Sequence, residues 1–190
     1  MQVVVTPLLA RPQDGYHHDM NHQSARYTFE NKSADYAAIA QELEGLLNGE
    51  HDLIANAANA TSLIYHALPD INWCGVYLLR GKELIVGPFQ GKPACVHIPL
   101  GKGVCGTAAV EKKTIIVPDV EAFPGHIACD AASRSEIVIP LFTQSARTDG
   151  AYLLGVLDLD SPKLARFDEE DRRGLEALAA ILTNSLSAVP

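Results

Sequence analysis

At 190 residues, with 47% hydrophobic and 20% charged side chains, the chain suffices for one ordinary globular domain with a sizeable core, and two full domains would be cramped. A net charge of -8 argues against a nucleic-acid partner, because phosphate neutralisation needs a basic stripe that the 15 scattered Lys and Arg do not supply. No apolar run reaches the ~20 residues that span a bilayer, and the apolar start Met1–Ala10 lacks the basic region of a signal peptide, so the expected compartment is the reducing cytoplasm.

Residues 1–30 carry Pro7, Pro12, Gly15 and the run His17-His-Asp-Met-Asn-His22 with no sustained period, and read as a mobile N-terminal arm with a solvated polar His run. From Ser33, a plausible N-cap, the spacing of Tyr36, Ile39, Leu43 and Leu46/Leu47 predicts a helix that stops near Gly49. A second helix is expected from about Asp52 to Leu68, with Leu53, Ile54, Ala57, Ala58 and Ile64 on its apolar side and Pro69 ending it. Strand signals follow at 73–80 and 83–86, joined by Gly81-Lys82, and then at 96–99, 114–117, 136–142 and 151–160. A short helix is expected over about 104–111, after Gly101-Lys-Gly103, and the turn 147–150 joins the last two strands. The closing helix runs from Asp168 to about Ser187; its acidic start suits the positive end of the helix dipole, and Leu175, Leu178, Ala179, Leu182 and Leu186 form its buried face. The expected class is α+β, a central antiparallel sheet with N- and C-terminal helices packed mainly on one face, in a single domain over 31–190.

Period-two alternation places Trp73, Gly75 and Tyr77 on one face of their strand and Cys74, Val76 and Leu78 on the other. Glycine between two aromatics leaves a notch, and an aromatic slot suits a thioether-like group, although Trp73 and Tyr77 also read as ordinary core residues. On the last strand, alternation groups Leu154, Val156, Asp158 and Asp160; these acids either begin a turn at Asp160-Ser-Pro162 or project together. Glu136 opens an otherwise apolar run, as a solvated edge or, if buried, as an acid with a raised pKa. The short 144–150 connection makes its strand a neighbour of the last one, so Glu136, Asp158 and Asp160 can converge.

Cys95, Cys105 and Cys129 lie in Gly/Pro-bounded segments, which points to redox or metal chemistry in a chain without structural need of disulfides. Cys74 sits in an apolar strand and is most simply a small buried hydrophobe. His126, three residues before Cys129, can assist a thiolate. The same residues permit a zinc reading through Cys95, His97, Cys105, His126 and Cys129, but the spacing is not that of paired Cys-x-x-Cys hooks.

The segments Ile71-Asn-Trp-Cys-Gly-Val-Tyr77, Gly87-Pro-Phe-Gln-Gly91, Gly103-Val-Cys-Gly-Thr107, Gly125-His-Ile-Ala-Cys-Asp-Ala-Ala-Ser133, Ser135-Glu-Ile-Val138 and Gly155-Val-Leu-Asp-Leu-Asp-Ser161 resemble free methionine-(R)-sulfoxide reductases, enzymes built on a GAF domain. The likeness runs from about residue 34 to 187, and general GAF domains lack the three cysteines. It implies a GAF domain over 31–190 that reduces the R epimer of free methionine sulfoxide under oxidative stress, with no cofactor or metal, thioredoxin as reductant and a homodimer as its assembly. By that likeness Cys129 is catalytic, Cys95 resolves it as a disulfide, and Cys105 is an auxiliary thiol able to pair with Cys95. Trp73 and Tyr77 match the walls around the substrate methyl group. Glu136, Asp158 and Asp160 match the acids for the sulfoxide oxygen and the amino group, Glu136 or Asp158 being the proton donor, while backbone amides over Ile127, Ala128 and Cys129 hold the carboxylate. The disulfide chemistry calls for cysteines on mobile, accessible loops. A GAF module that only senses a ligand, with zinc at the cysteines, is the alternative.

Overall fold

The computed structural model describes residues 27–127, 130–144 and 151–187. Its elements in chain order are α1 (Lys32–Leu47), α2 (Leu53–Ala67), β1 (Trp73–Arg80), β2 (Glu83–Gly91), β3 (His97–Pro99), α3 (Gly103–Glu111), β4 (Ile115–Val117), a 3₁₀ turn (Val120–Ala122), β5 (Ser135–Gln144), β6 (Ala151–Ser161) and α4 (Glu169–Ser187). The strands form one antiparallel sheet in the order β3-β2-β1-β6-β5-β4. This is the expected α+β architecture, and among the described residues no helix is long and apolar enough to cross a membrane.

The two sheet faces are packed differently. Helices α1, α2 and α4 cover one face, where Ile39, Leu43, Ile64, Leu175, Leu178 and Leu182 meet Cys74, Val76, Leu78, Ile137, Ile139, Leu141, Leu157 and Leu159. Helix α3 covers part of the other face, where Val104, Cys105, Ala108 and Ala109 meet Trp73, Tyr77, Val138, Val156, Leu84 and Ile98. Each apolar side chain fully buried this way contributes roughly 1.5–3 kcal/mol, so both faces help to hold the sheet.

Several boundaries differ from the sequence expectation, each for a local reason. The cap of α1 is Asn31, whose side chain accepts from the amide of Ala34 at 3.1 Å, so Ser33 lies inside the first turn. Helix α2 starts where expected, with Asp52 as its cap, but Ile54 is 54% exposed; the buried side is Asn56, Ala57, Ala60, Thr61, Ile64 and Ala67. Strand β2 continues to Gly91 past an irregularity opposite Val76, where Gly75 pairs with Phe89 and Tyr77 with Val86. In β6 the pairing passes from Leu141↔Gly155 to Phe142↔Leu153, so Leu154 is the extra residue of a bulge. Leu154 therefore packs on the face under the long helices and does not share a face with Val156, Asp158 and Asp160.

Residues 1–26, with the His run, and the turn 147–150 lie outside the described residues. Tyr27 and Phe29, at the end of the stretch read as an arm, pack against the main core: the Tyr27 hydroxyl donates to Glu42 at 2.9 Å, and Phe29 meets Tyr36 edge-on at 5.4 Å. Asp171 at the start of α4 is fully buried. Its carboxylate accepts from the Tyr36 hydroxyl (2.9 Å), Lys32 Nζ (2.6 Å), Arg166 Nη1 (3.1 Å) and the Asp168 amide (3.0 Å).

Candidate active site

Three neighbouring strands set the floor of the site. Trp73 of β1, Asp160 of β6 and Glu136 of β5 form one cross-sheet row, because Trp73 pairs with Asp160 and Glu136 with Asp160. The next row on the same face is Phe89, Gly75, Asp158 and Val138. Alternation thus brings the three acids onto the face that carries Trp73 and Tyr77, and all five residues line one cavity with Cys105, His126, Ile127 and Asp130. Cys74 faces away from this cavity, within the core under the long helices.

The aromatic wall differs in detail from the expected slot. The space above Gly75 is filled by Trp73: a Cβ at Gly75 would lie 2.3 Å from the outer indole ring and 2.5 Å from the Phe89 Cβ. The indole stacks on Phe89 (centroids 5.4 Å) and on Tyr77 (5.7 Å). Phe89 lies beyond the expected strand end at 86, and β2 continues through Gly87-Pro88 to place it on the wall. The wall is anchored through its polar tips, as Trp73 Nε1 donates to the Lys92 carbonyl at 3.1 Å and the Tyr77 hydroxyl to the Cys95 carbonyl at 3.2 Å.

The carboxyls are held almost dry. Glu136 and Asp158 are 5% and 6% exposed, and Asp160 is partly buried. Burial, then the charges of Asp158 and Asp160, pushes Glu136 well above the ordinary glutamate value; burial pushes Asp158 up to about 7, and burial with the Asp158 charge raises Asp160. One oxygen of Asp158, Oδ1, is buried with no hydrogen-bond partner among the described residues. Three acids so close share protons and titrate as a unit. His126 places Nε2 3.8 Å from Glu136 Oε2, and its own pKa is lowered by burial, which disfavours the imidazolium.

The cysteines are in three different situations. Cys95, in the loop after β2, is half-buried and disulfide-bonded. Cys105 is a free thiol in the first turn of α3 and only 4% exposed, contrary to the expectation of an accessible loop. Cys74 is free and fully buried. Cys129 and Ala128, the expected nucleophile and one of the expected carboxylate-binding amides, lie outside the described residues. Their flank is described: Ile127 packs on Gly103, whose φ of +60° and tight contact (3.2 Å from an added Cβ) suit only glycine. Asp130 is pinned by three donors, the Ala132 amide (2.9 Å), Lys92 Nζ (3.2 Å) and Asn72 Nδ2 (3.3 Å), and Asn72 also donates to Ser133 (3.0 Å).

The zinc set read from the sequence is not gathered among the described residues, since His97 turns outward to Glu83 at 3.2 Å and Cys95 is disulfide-bonded. Cys105, Glu136 and Asp158 do place donor atoms within 4.8 Å of one another. Burial holds each of the three toward its neutral form, in which they are hydrogen-bonding groups.

The sequence profile of the GAF domain family matches residues 35–186. The chain is 47% identical over 157 residues to the Escherichia coli protein named free methionine-R-sulfoxide reductase, covering 83% of this chain and 92% of that one. It is 44% identical over 180 residues to the protein of that name from Saccharomyces cerevisiae, covering 90% and 95%. The X-ray structure of free methionine-R-sulfoxide reductase from Neisseria meningitidis in complex with its substrate superposes with a TM-score of 0.77 at 42% identity, covering 85% of this chain and 95% of that one.

Proposed function

The chain belongs to the free methionine-R-sulfoxide reductase family of GAF-domain enzymes, and from that premise we propose that it reduces the R epimer of free methionine sulfoxide, with Cys129 as nucleophile, Cys95 as resolving thiol and thioredoxin as reductant. The observation that carries this reading is the triad of buried Glu136 and Asp158 and partly buried Asp160 beside the Trp73–Tyr77 wall. A carboxyl kept protonated near neutral pH can donate to a sulfoxide oxygen, which makes the sulfur electrophilic. Glu136 takes that part: burial and two neighbouring acids raise its proton affinity, and its carboxyl lies between Cys105 and His126 in the cavity. Asp158 and Asp160 then face the substrate ammonium, and Asp158 Oδ1, which has no partner among the described residues, is a ready acceptor for it.

The chemistry balances in three steps. The Cys129 thiolate attacks the sulfoxide sulfur while Glu136 delivers a proton to the oxygen; the hydroxyl then passes from the substrate sulfur to Cys129 Sγ as the bond between the two sulfurs breaks, so that methionine leaves and Cys129 becomes a sulfenic acid. The Cys95 thiol attacks that sulfur, forming the disulfide and releasing water. The thioredoxin dithiol reduces the disulfide and is itself oxidised. Support for Cys95 in this part comes from its position in the loop tied to Tyr77 and from its presence in a disulfide while Cys105 is free. Acids that read a free ammonium also give a reason for rejecting protein-bound methionine sulfoxide, which lacks that charge.

An assay coupled to NADPH, thioredoxin reductase and thioredoxin tests the proposal. Turnover is expected with the free R epimer, and neither the S epimer nor a peptide-bound form should serve. Cys129→Ser should abolish it. No turnover of the free R epimer by the native protein, or full activity in Cys129→Ser, would overturn the reading.

A further inference from the structure

We propose that Cys105 serves this reaction as a positioning residue, a thiol that hydrogen-bonds Glu136 and aims its carboxyl at the cavity, and not as a redox-active cysteine. Its Sγ lies 3.9 Å from Glu136 Oε1, within reach of a weak S–H donor. The other oxygen, Oε2, faces His126 at 3.8 Å, so the carboxyl is held between a thiol and an imidazole. The thiol is thereby the near neighbour of the proton donor, from a helix that approaches the sheet over the middle of the site.

Two observations separate this role from disulfide exchange. Helix α3 is fixed: a Cβ at Gly106, the residue after Cys105, would meet the Pro99 carbonyl oxygen at 2.5 Å, and Val104, Cys105, Ala108 and Ala109 are all buried. A thiol on such an element cannot swing out to a protein reductant. Moreover, Cys105 is free although Cys95 is disulfide-bonded. The electrostatics point the same way, since burial and then the charges of Asp158 and Glu136 disfavour the thiolate that exchange requires. Conversely, the hydrogen bond from Cys105 lowers the proton affinity of Glu136 against the upward push of burial, which keeps the donor releasable.

The inference rests on the catalytic reading above, and its test has an arm that does not. The groups facing the pair are Asp158 and Asp160 from β6, Tyr77 from β1 and His126 from the segment after the 3₁₀ turn, so the pH profile reports the whole set. Cys105→Ala should lower kcat by about 10-fold, a fraction of the ~10²-fold or more that a positioned acid supplies, with a smaller change in KM. It should also move the alkaline limb of the rate profile upward by about half a pH unit, the scale of one weak hydrogen bond. Cys105→Ser, which restores a donor, should recover most of the rate and return the limb to the native position or below. Trapping thiols during thioredoxin-dependent turnover should find Cys105 reduced. Cys105 in a disulfide during turnover, or Ser as impaired as Ala, or Ala indistinguishable from native, would overturn the proposal. Infrared spectroscopy of the protonated carboxyls needs no activity: the C=O band assigned to Glu136, as the one lost in Glu136→Gln, should shift in Cys105→Ala. An unshifted band would overturn the contact itself, whereas a shifted band in a protein that does not turn over sulfoxide would leave the contact standing and sink the catalytic reading.

Discussion

Asp171 and Asp158 are both buried carboxyls in this domain, but their surroundings differ. Asp171 is met by Lys32, Tyr36, Arg166 and the Asp168 amide, which supply charge and hydrogen bonds to both oxygens. Asp158 has a thiol and another acid beside it and, among the described residues, one oxygen with no partner. The first arrangement ties α1 and the 162–168 loop to α4; the second is short of donors. A buried acid left in that state costs stability and gains proton affinity, which is the property a proton-handling site needs.

The largest expected departure from that contrast is in rate. Glu136→Gln keeps the shape and removes the transferable proton, so kcat/KM for the free R sulfoxide should fall by ~10²–10⁴-fold, while thermal unfolding shows no loss of stability. A destabilised variant would mean that Glu136 belongs with Asp171 as a structural acid. Next, Asp171→Ala should cost ~3–5 kcal/mol in urea unfolding, because Arg166 and Lys32 lose their buried partner; a cost below ~1 kcal/mol, as for exposed pairs, would remove the contrast.

Asp158→Asn should act in the opposite direction. The folded pKa of Asp158 is raised to about 7, so the folded state binds more protons than the unfolded one between the ordinary aspartate value and about 7, and stability falls as pH rises through that window. Replacing the acid should therefore add ~1–3 kcal/mol at pH 8 and little at pH 3.5, at the expense of substrate affinity. Stability that climbs between pH 4 and 7 on account of Asp158 would reverse the assignment. The smallest effect is expected for Cys74→Ser, a buried polar replacement on the opposite face that should cost ~1–3 kcal/mol and leave the KM of the folded enzyme unchanged.

The fold was legible where the pattern is local and regular. Alternation alone assigned Trp73 and Tyr77 to one face and Cys74, Val76 and Leu78 to the other, and it put Asp158 and Asp160 together. It failed at Leu154, because a bulge adds a residue without changing composition, and at Phe89, because β2 continues through Gly87-Pro88 beyond the expected end at 86. Asn31 and Ser33 are both good caps two residues apart, and only the geometry of the first turn selects between them. Asp171 read as one of four dipole-facing acids; its partners Lys32 and Tyr36 lie more than a hundred residues away, so nothing in its neighbourhood announces that it is buried. The convergence of the acids could be anticipated, but the enclosure of Cys105 by α3 could not.

The stacking of Trp73 over Gly75 binds the two positions to each other as a single volume. An alanine at 75 needs space already held by the indole and by the Phe89 stem, so it would displace the ring unless residue 73 shrank in the same step. Either change alone spoils the wall, and a viable route through sequence space has to alter both together. Relatives that keep the chemistry should accordingly vary these two residues in concert or not at all, and a library that randomises positions 73 and 75 together should return glycine at 75 whenever tryptophan survives at 73.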